Sequence, residues 1–392
     1  MRKDLKAGIQ NINSTKIYVK SDIPISVIAH DFCDGIGDSL SVWPTTLASR
    51  RFAFSIPAAA SDGLELLYFF SMHSAVVNYT IISNDNKISE TKEIQGGLMA
   101  DDVVYAISPG DVSVYVETSE PIHIIAAVTR LPIQNLPNKV DFGCFMPIPV
   151  TNTACSRNTG KGELSEWGQK ESGVNDVHVT DLDAGNYYTF TPPHYSCAPF
   201  NIIIYNSSSL INSQRVLPGN VQSPINFEKS KIGEVKTVFS NLFSLTSSVP
   251  IRVIRYGGCG TTKEWKEEGG FLDNLPSRSE YITGTTGYVL FNDYDDVSVF
   301  GDETIRNTSK HNGEMIGPVF FKNFTYNDET MWMTTFTEEK GLHWFSSKGY
   351  YMLHVAGSAD DSAQGYTPHF QSSSAVHEVF EAFEFCGTCL HL

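Results

Sequence analysis

A strand-like phrase recurs three times in this chain, and it limits the folds available more than any other feature. Residues 17–29 read IYVKSDIPISVIA, 114–126 read VYVETSEPIHIIA and 243–255 read FSLTSSVPIRVIR. They align without a gap on Pro24, Pro121 and Pro250. Each has an apolar run, a polar turn ending just before Pro, then Ile, a variable residue and two more apolar residues. A fixed phrase at domain-like intervals points to duplicated modules. SSKGYYMLHVAG at 346–357 is a degenerate fourth copy, with Gly349 in the Pro slot.

The repeat continues past the phrase. A loop follows, then an apolar residue before Pro: Trp43-Pro44, Met146-Pro147 and Leu275-Pro276. An aromatic-rich segment comes next each time: RRFAFSIP, NYYTFTPP and SEYITG. Between these landmarks lie short alternating runs such as VVNYTII, DVVYAI, FNIIIY and GYVLF, separated by turn signals. Period two with frequent Gly, Pro, Asn and Asp predicts antiparallel strands. The stretch LELLYFFSMHSAVVNYTII reads as two buried strands, being too interrupted for a membrane span. Near the end, Val376, Val379, Phe380 and Phe383 fit a short amphipathic helix, while FEAFEF fits a strand.

The fold expected is all-β: tandem β-sandwich modules at 1–131, 132–258 and 259–392. The middle one carries a polar, Gly-rich insertion at 157–177 and the last a C-terminal tail. A propeller-like ring, closed by the opening strand joining a later module, is the alternative.

The chain has 392 residues and a net charge of −16. An acidic surface repels phosphate backbones and anionic lipid, so nucleic acid is not expected as a partner. MRKDLKAGIQNINS lacks the apolar core of a signal peptide.

Seven cysteines are disulfide candidates: Cys33, Cys144, Cys155, Cys197, Cys259, Cys386 and Cys389. Cys33 and Cys259 each lie nine residues after the phrase Pro, as structural staples would. Glycosylation sequons stand at Asn13, Asn78, Asn206, Asn307 and Asn323.

Motifs for chemistry are sparse. Gly37-Asp38-Ser39-Leu40 spells the opening motif of the GDSL hydrolases, but no Asp-x-x-His supplies the base a serine needs. Ser39 is therefore expected in a β-turn. Cys386-Gly-Thr-Cys389 has redox or zinc spacing without the surroundings either requires. His30 and Cys33 are close in HDFCDG, yet the third copy keeps the Cys and loses the His. NDYDDVSVFGDE at 292–303 misses the EF-hand spacing and reads as a loop followed by a strand. No catalytic residue, metal ligand or cofactor is expected. Trp43, Trp167 and Trp265 lie near loops but are more usually packing residues.

YVKSDIPISVIAHDF followed by DSLSVWPTTLASRRFAF resembles the N-terminal domain family of the IgGFc-binding proteins, as does VYVETSEPIHIIAAV followed by DFGCFMPIPV. The resemblance spans roughly residues 15–360. It implies a noncatalytic, extracellular or cell-surface β-rich region that binds a protein or glycan. The rival expectations are a GDSL-like or thiol-dependent enzyme and a self-associating matrix protein.

Overall fold

The computed structural model describes residues 5–14, 16–23, 25–33, 35–83, 86–133, 139–150, 155, 177–180, 187–206, 225–228, 232–234, 236–237, 242–257, 269–293, 295–326, 329–359, 362–368 and 381–385. The fold is all-β, in antiparallel sheets. Alternation fixes which face each strand buries. In Ala75–Ser83, Ala75, Val77, Tyr79 and Ile81 point into the core while Asn78 points outward.

Each copy of the phrase changes strand partners part-way along. In the 21-residue strand Val112–Pro132, residues 113–118 pair with Ala75–Ser83, and 123–128 pair with Glu65–Phe70. Pro121 sits at the crossing. It donates no ladder hydrogen bond, which suits a point where pairing changes hands. Pro250 likewise separates Leu242–Ser247 from Arg252–Gly257, which belong to different sheets. In Gly341–Ala359 the crossing falls at Gly349, between the pairs of Ser347 and Tyr351. A Cβ there would strike the Asp302 carboxylate and the backbone at Ile305, so the slot takes Gly. Pro24 lies outside the described residues. The flanking strands Lys16–Lys20 and Val27–Cys33 pair with Glu381–Phe385 and Ile36–Val42.

Three sandwich-like units result. The first core holds Phe54, Leu67, Val77, Val114 and Ile124; the second Phe190, Phe227 and Leu245; the third Tyr288, Val299, Phe345 and Tyr351. Val140–Phe145 and Phe271–Leu275 lie beyond the boundaries expected after Leu131 and Gly258, and each pairs back to the phrase strand before it.

The strand Lys16–Lys20, second in the chain after Gly8–Ile12, pairs with Glu381–Phe385, so segments near both ends of the described chain form one small sheet. This leaves a partial fourth unit, and it settles Glu381–Phe385 as a strand; 376–380 lie outside the described residues. Lys16 also forms a buried ion pair with Asp102 and donates to Ala100 O at 2.7 Å, tying this partial unit to the first.

The first and second units share a packed face. Ser55 and Ser113 of the first bond each other at 2.8 Å, and Ser55 bonds Thr191 of the second. Tyr115 packs edge-on against Tyr195 with centroids 5.9 Å apart, beside Val150. Gly233 lies so close to Ser55 and Ser113 that a side chain there would collide with both hydroxyls.

Every unit ends in a short strand just before a Pro: Ile36–Val42, Val140–Phe145, Phe271–Leu275 and Ser362–Tyr366. The fourth precedes Thr367-Pro368. The first packs on the second and fourth, and so does the third, so the four enclose one centre. Gly365 faces the Phe271 ring there with no room for a Cβ. Gly365→Ala should therefore lower unfolding free energy by about 1–3 kcal/mol through overpacking, read from urea denaturation.

Candidate functional site

The polar centre where these four inner strands meet is the candidate site. Asp38 and Asp141 occupy equivalent positions, each six residues before its Pro. Both are buried. Asp38 Oδ1 accepts from the N–H groups of Ser39 (2.7 Å) and Gly365 (3.4 Å). Its Oδ2 accepts from Cys144 (2.8 Å) and Leu272 (3.2 Å). Asp141 Oδ1 accepts from Gly37 (2.7 Å) and Phe142 (2.8 Å), and its Oδ2 from Gly270 (2.9 Å) and Ala363 (3.0 Å). Each carboxyl thus gathers donors from all four inner segments.

The equivalent positions in the other two units are Gly270 and Ser362. Gly270 contributes its N–H to Asp141; Ser362 donates its hydroxyl to Gly37 O at 3.1 Å. A Cβ on the neighbouring Gly269 would collide with Ala363 N and the Asp141 carboxyl. Burial pushes Asp141 up to about 7, and the surrounding N–H groups pull it down. Burial also raises Asp38, with a smaller push from Asp141.

Around this pair lies a second set of contacts. Asp273 accepts from Thr367 N at 3.2 Å and Thr367 Oγ1 at 2.9 Å, and His354 Nε2 lies 3.0 Å from it. Burial raises Asp273 to about 6 while Arg255 opposes. Burial and then the Arg255 charge hold His354 well below the usual imidazole range, so it is neutral. Gln364 Nε2 donates to Asp295 Oδ2 at 2.9 Å. Asp295, raised by burial, also accepts from the N–H groups of Phe291 and Asn292.

Ser39 departs from the expected turn. It lies within Ile36–Val42, because the hairpin reverses earlier, at Gly35 with φ +80°. Its cross-strand partner is His30, whose Nδ1 is 2.8 Å from Ser39 Oγ. Ser39 Oγ in turn donates to Gln364 Oε1 at 3.2 Å. With the Gln364 amide N–H₂ committed to Asp295, its oxygen takes the serine proton, and His30 Nδ1–H donates to Ser39. A serine nucleophile needs the reverse, a base accepting its proton. Ser39 is also fully buried, and His30 stacks on Phe291 with centroids 4.0 Å apart.

The other candidates scatter. Cys155 and Cys197 form a disulfide. Cys144 is a correction to the bridged expectation: it is a free thiol buried on an inner strand, packed among Trp43, Met146 and their neighbours. Cys33 lies in a strand whose side chain there is not described; Cys259, Cys386 and Cys389 lie outside the described residues. Trp43 is buried and donates Nε1–H to Met146 O at 2.9 Å. Trp167 and Trp265 lie outside the described residues. Asn13, Asn78 and Asn307 are exposed and Asn323 half-buried. Asn206 falls at a strand end without a described side chain. Among the described residues no group of three or more His, Cys, Asp or Glu is placed to hold a metal ion.

Asp141, Asp273 and Gln364 were missed from the sequence, while Asp38 and Asp295 were noticed only as part of a hydrolase-like motif and an acidic loop. The signal available was the equal six-residue spacing from Asp38 to Pro44 and from Asp141 to Pro147.

No family model matches the chain, and no curated protein matches it. Among solved structures, the pilus backbone protein RrgB of Streptococcus pneumoniae aligns over 88% of this chain and 93% of its own, at 7% identity and TM-score 0.15. A chain of the lipid-containing bacteriophage PM2 aligns over 83% and 86%, at 9% identity and TM-score 0.12. Likenesses this slight carry no weight for function.

Asp141→Asn turns an amide N–H₂ toward backbone donors. A neutral carboxyl keeps a lone pair on its hydroxyl oxygen; an amide nitrogen keeps none. Stranding donors costs about 1–3 kcal/mol each, so the variant should lose about 2–6 kcal/mol in equilibrium unfolding.

Glu65, buried in the first unit, behaves differently. Its Oε1 accepts from Ala59 N (2.6 Å) and Gly110 N (3.2 Å), while Oε2 has no hydrogen-bond partner among the described residues. Burial raises it from 4.5 to about 7. The folded state thus holds the proton more tightly than the unfolded chain. Stability is full below pH 4.5 and falls as pH rises toward 7. Glu65→Gln should match wild type at pH 4 and exceed it by about 2–3 kcal/mol at pH 8, by urea denaturation at both pH values.

Proposed function

We propose that this chain is a noncatalytic binding or adhesion protein of an extracellular or cell-surface setting, recognising a protein or a glycan. The observation that supports this is how the polar centre uses its groups. The inner carboxyls are taken up by backbone N–H groups of neighbouring strands, and the Ser39 hydroxyl proton is directed to an amide oxygen. That arrangement serves rigidity, and a rigid β scaffold suits recognition through its loops and outer faces. The Cys155–Cys197 bridge and the exposed sequons favour an oxidising compartment. No helix among the described residues is long and apolar enough to cross a membrane. The sequence resemblance to the IgGFc-binding N-terminal family supports the same reading.

The test uses protein from its native source, followed by the purified chain. Differential alkylation should find Cys155 and Cys197 bridged and Cys144 free, with glycan on Asn13, Asn78 or Asn307. A glycan array and a panel of immobilised extracellular proteins should then retain the purified chain. Reduced Cys155 and Cys197 with bare asparagines would contradict the setting. Ester hydrolysis that disappears in Ser39→Ala would contradict the noncatalytic reading.

A further inference from the structure

The first and third units present the same face to their surroundings, and among the described residues only the first unit's is covered. Strand registers establish the equivalence. In the first unit Ser49–Ile56 pairs with Val112–Pro132 through Ile56↔Val112, Ser55↔Ser113 and Ala53↔Tyr115. In the third, Ile282–Leu290 pairs with Gly341–Ala359 through Leu290↔Gly341, Val289↔Leu342 and Gly287↔Trp344. Phe54, Ile56 and Val114 face the first core and Tyr288, Leu290 and Phe345 the third, so Ser113, Tyr115 and Ala53 lie on one unit's outward face and Leu342, Trp344 and Gly287 on the other's.

Their environments are opposite. Ser113 is 0% exposed and Tyr115 6%, because the second unit seats Tyr195, Val150 and Gly233 on them. Leu342 is 56% exposed and Trp344 48%. Among the described residues of the third unit, the neighbour beyond this edge is the partial unit. It reaches the inner end, where His30 stacks on Phe291, and Ile28 joins the third core. Leu342 and Trp344 remain bare.

The bare face is built for contact. The Trp344 ring lies over Gly287, where a Cβ would sit 3.7 Å from its Cδ1 and Nε1. Thr283, Thr285 and Ser346 continue the same uncharged face. Lys310 pairs with both Ser346 and Met315, which brings the 56%-exposed Met315 to its border.

We propose that this face is where two copies of the chain meet, the third units packing sheet on sheet about a two-fold axis with Leu342 and Trp344 of each at the centre. Three observations select a second copy. The equivalent face in the first unit is filled by a β-unit of this chain, so a β-unit of the same kind is the matching shape. Two chains of net charge −16 repel each other over most of their surface, and this uncharged strip is where they can approach. The border carries both signs, Lys310 and Lys340 with Glu314 and Glu339, so a two-fold partner can set opposite charges together. The inference goes beyond the partner proposed above and holds whichever ligand the loops bind.

Strand spacing and rise make the strip roughly 20 Å long and 15 Å wide. Two such strips bury about 600 Å² in total, below the roughly 1,200 Å² of stable specific interfaces, so the dimer is expected to be weak and transient, populated at about 100 μM and dissociated at about 1 μM. Sedimentation equilibrium of the full chain across this range tests it. Wild type should move from monomer to dimer mass, while Leu342→Glu stays monomeric at the highest concentration. Trp344→Ser should do the same. Both residues are exposed, so the melting temperature and far-ultraviolet dichroism should match wild type, separating lost association from lost folding. A wild type that is monomeric throughout overturns the proposal. So does a dimer untouched by both variants. Retention on a glycan array that Trp344→Ser abolishes, with wild type monomeric, would give the face to a sugar instead.

Discussion

Two buried aspartates at the centre of the molecule each accept backbone N–H groups from four separate chain segments. Backbone donors at the ends of short inner strands have no ladder partner across the centre, and leaving them unpaired in a water-poor interior is costly. Asp38 and Asp141 remove that cost with one side chain each, because a carboxyl offers four lone-pair directions. The distance from Gly37 to Ala363 along the chain is nearly its whole length, yet both N–H groups end on one carboxyl. The arrangement of the units about one another therefore depends on two residues that contribute little to any single unit's core.

The phrase strands make that centre reachable. A strand that changes partners at its Pro or Gly pairs with outer strands along one half and inner strands along the other. The inner half then pairs with the short strand that enters the centre. Pro121 and Pro250 do this without a wasted donor, while Gly349 does it because Asp302 and Ile305 occupy the space a side chain would need. The same crossing explains why outer faces of the units meet one another, and among the described residues the partial fourth unit leaves one of those faces uncovered.

The all-β fold and its strands were legible in the chain because alternation and the repeated phrase are local signals. The two strands in 64–83 were visible from their interrupted apolar runs, and Gly349 was visible as the counterpart of Pro. The strand holding Ser39 was not, since its hairpin turns at Gly35 and the stretch before Trp43-Pro44 reads as a loop. The central pairing was not legible either. The four equivalent positions carry Asp, Asp, Gly and Ser, so the feature is complementary between units and not repeated within them. Two copies supply acceptors and the other two supply an N–H and a hydroxyl. Side-chain identity alone gives no hint that Gly270 and Ser362 belong to the same constellation as Asp38.

If the carboxyl clasp holds the units together, its donors must open only when the whole molecule opens. Amide hydrogen exchange at Gly37, Cys144, Gly270, Leu272, Ala363 and Gly365 tests this most directly. The account predicts that these six amides exchange as slowly as the most protected amides of the sandwich cores, by global unfolding. Exchange at these six through a cheap local opening, while Val114, Leu245 and Val299 stay protected, would contradict it.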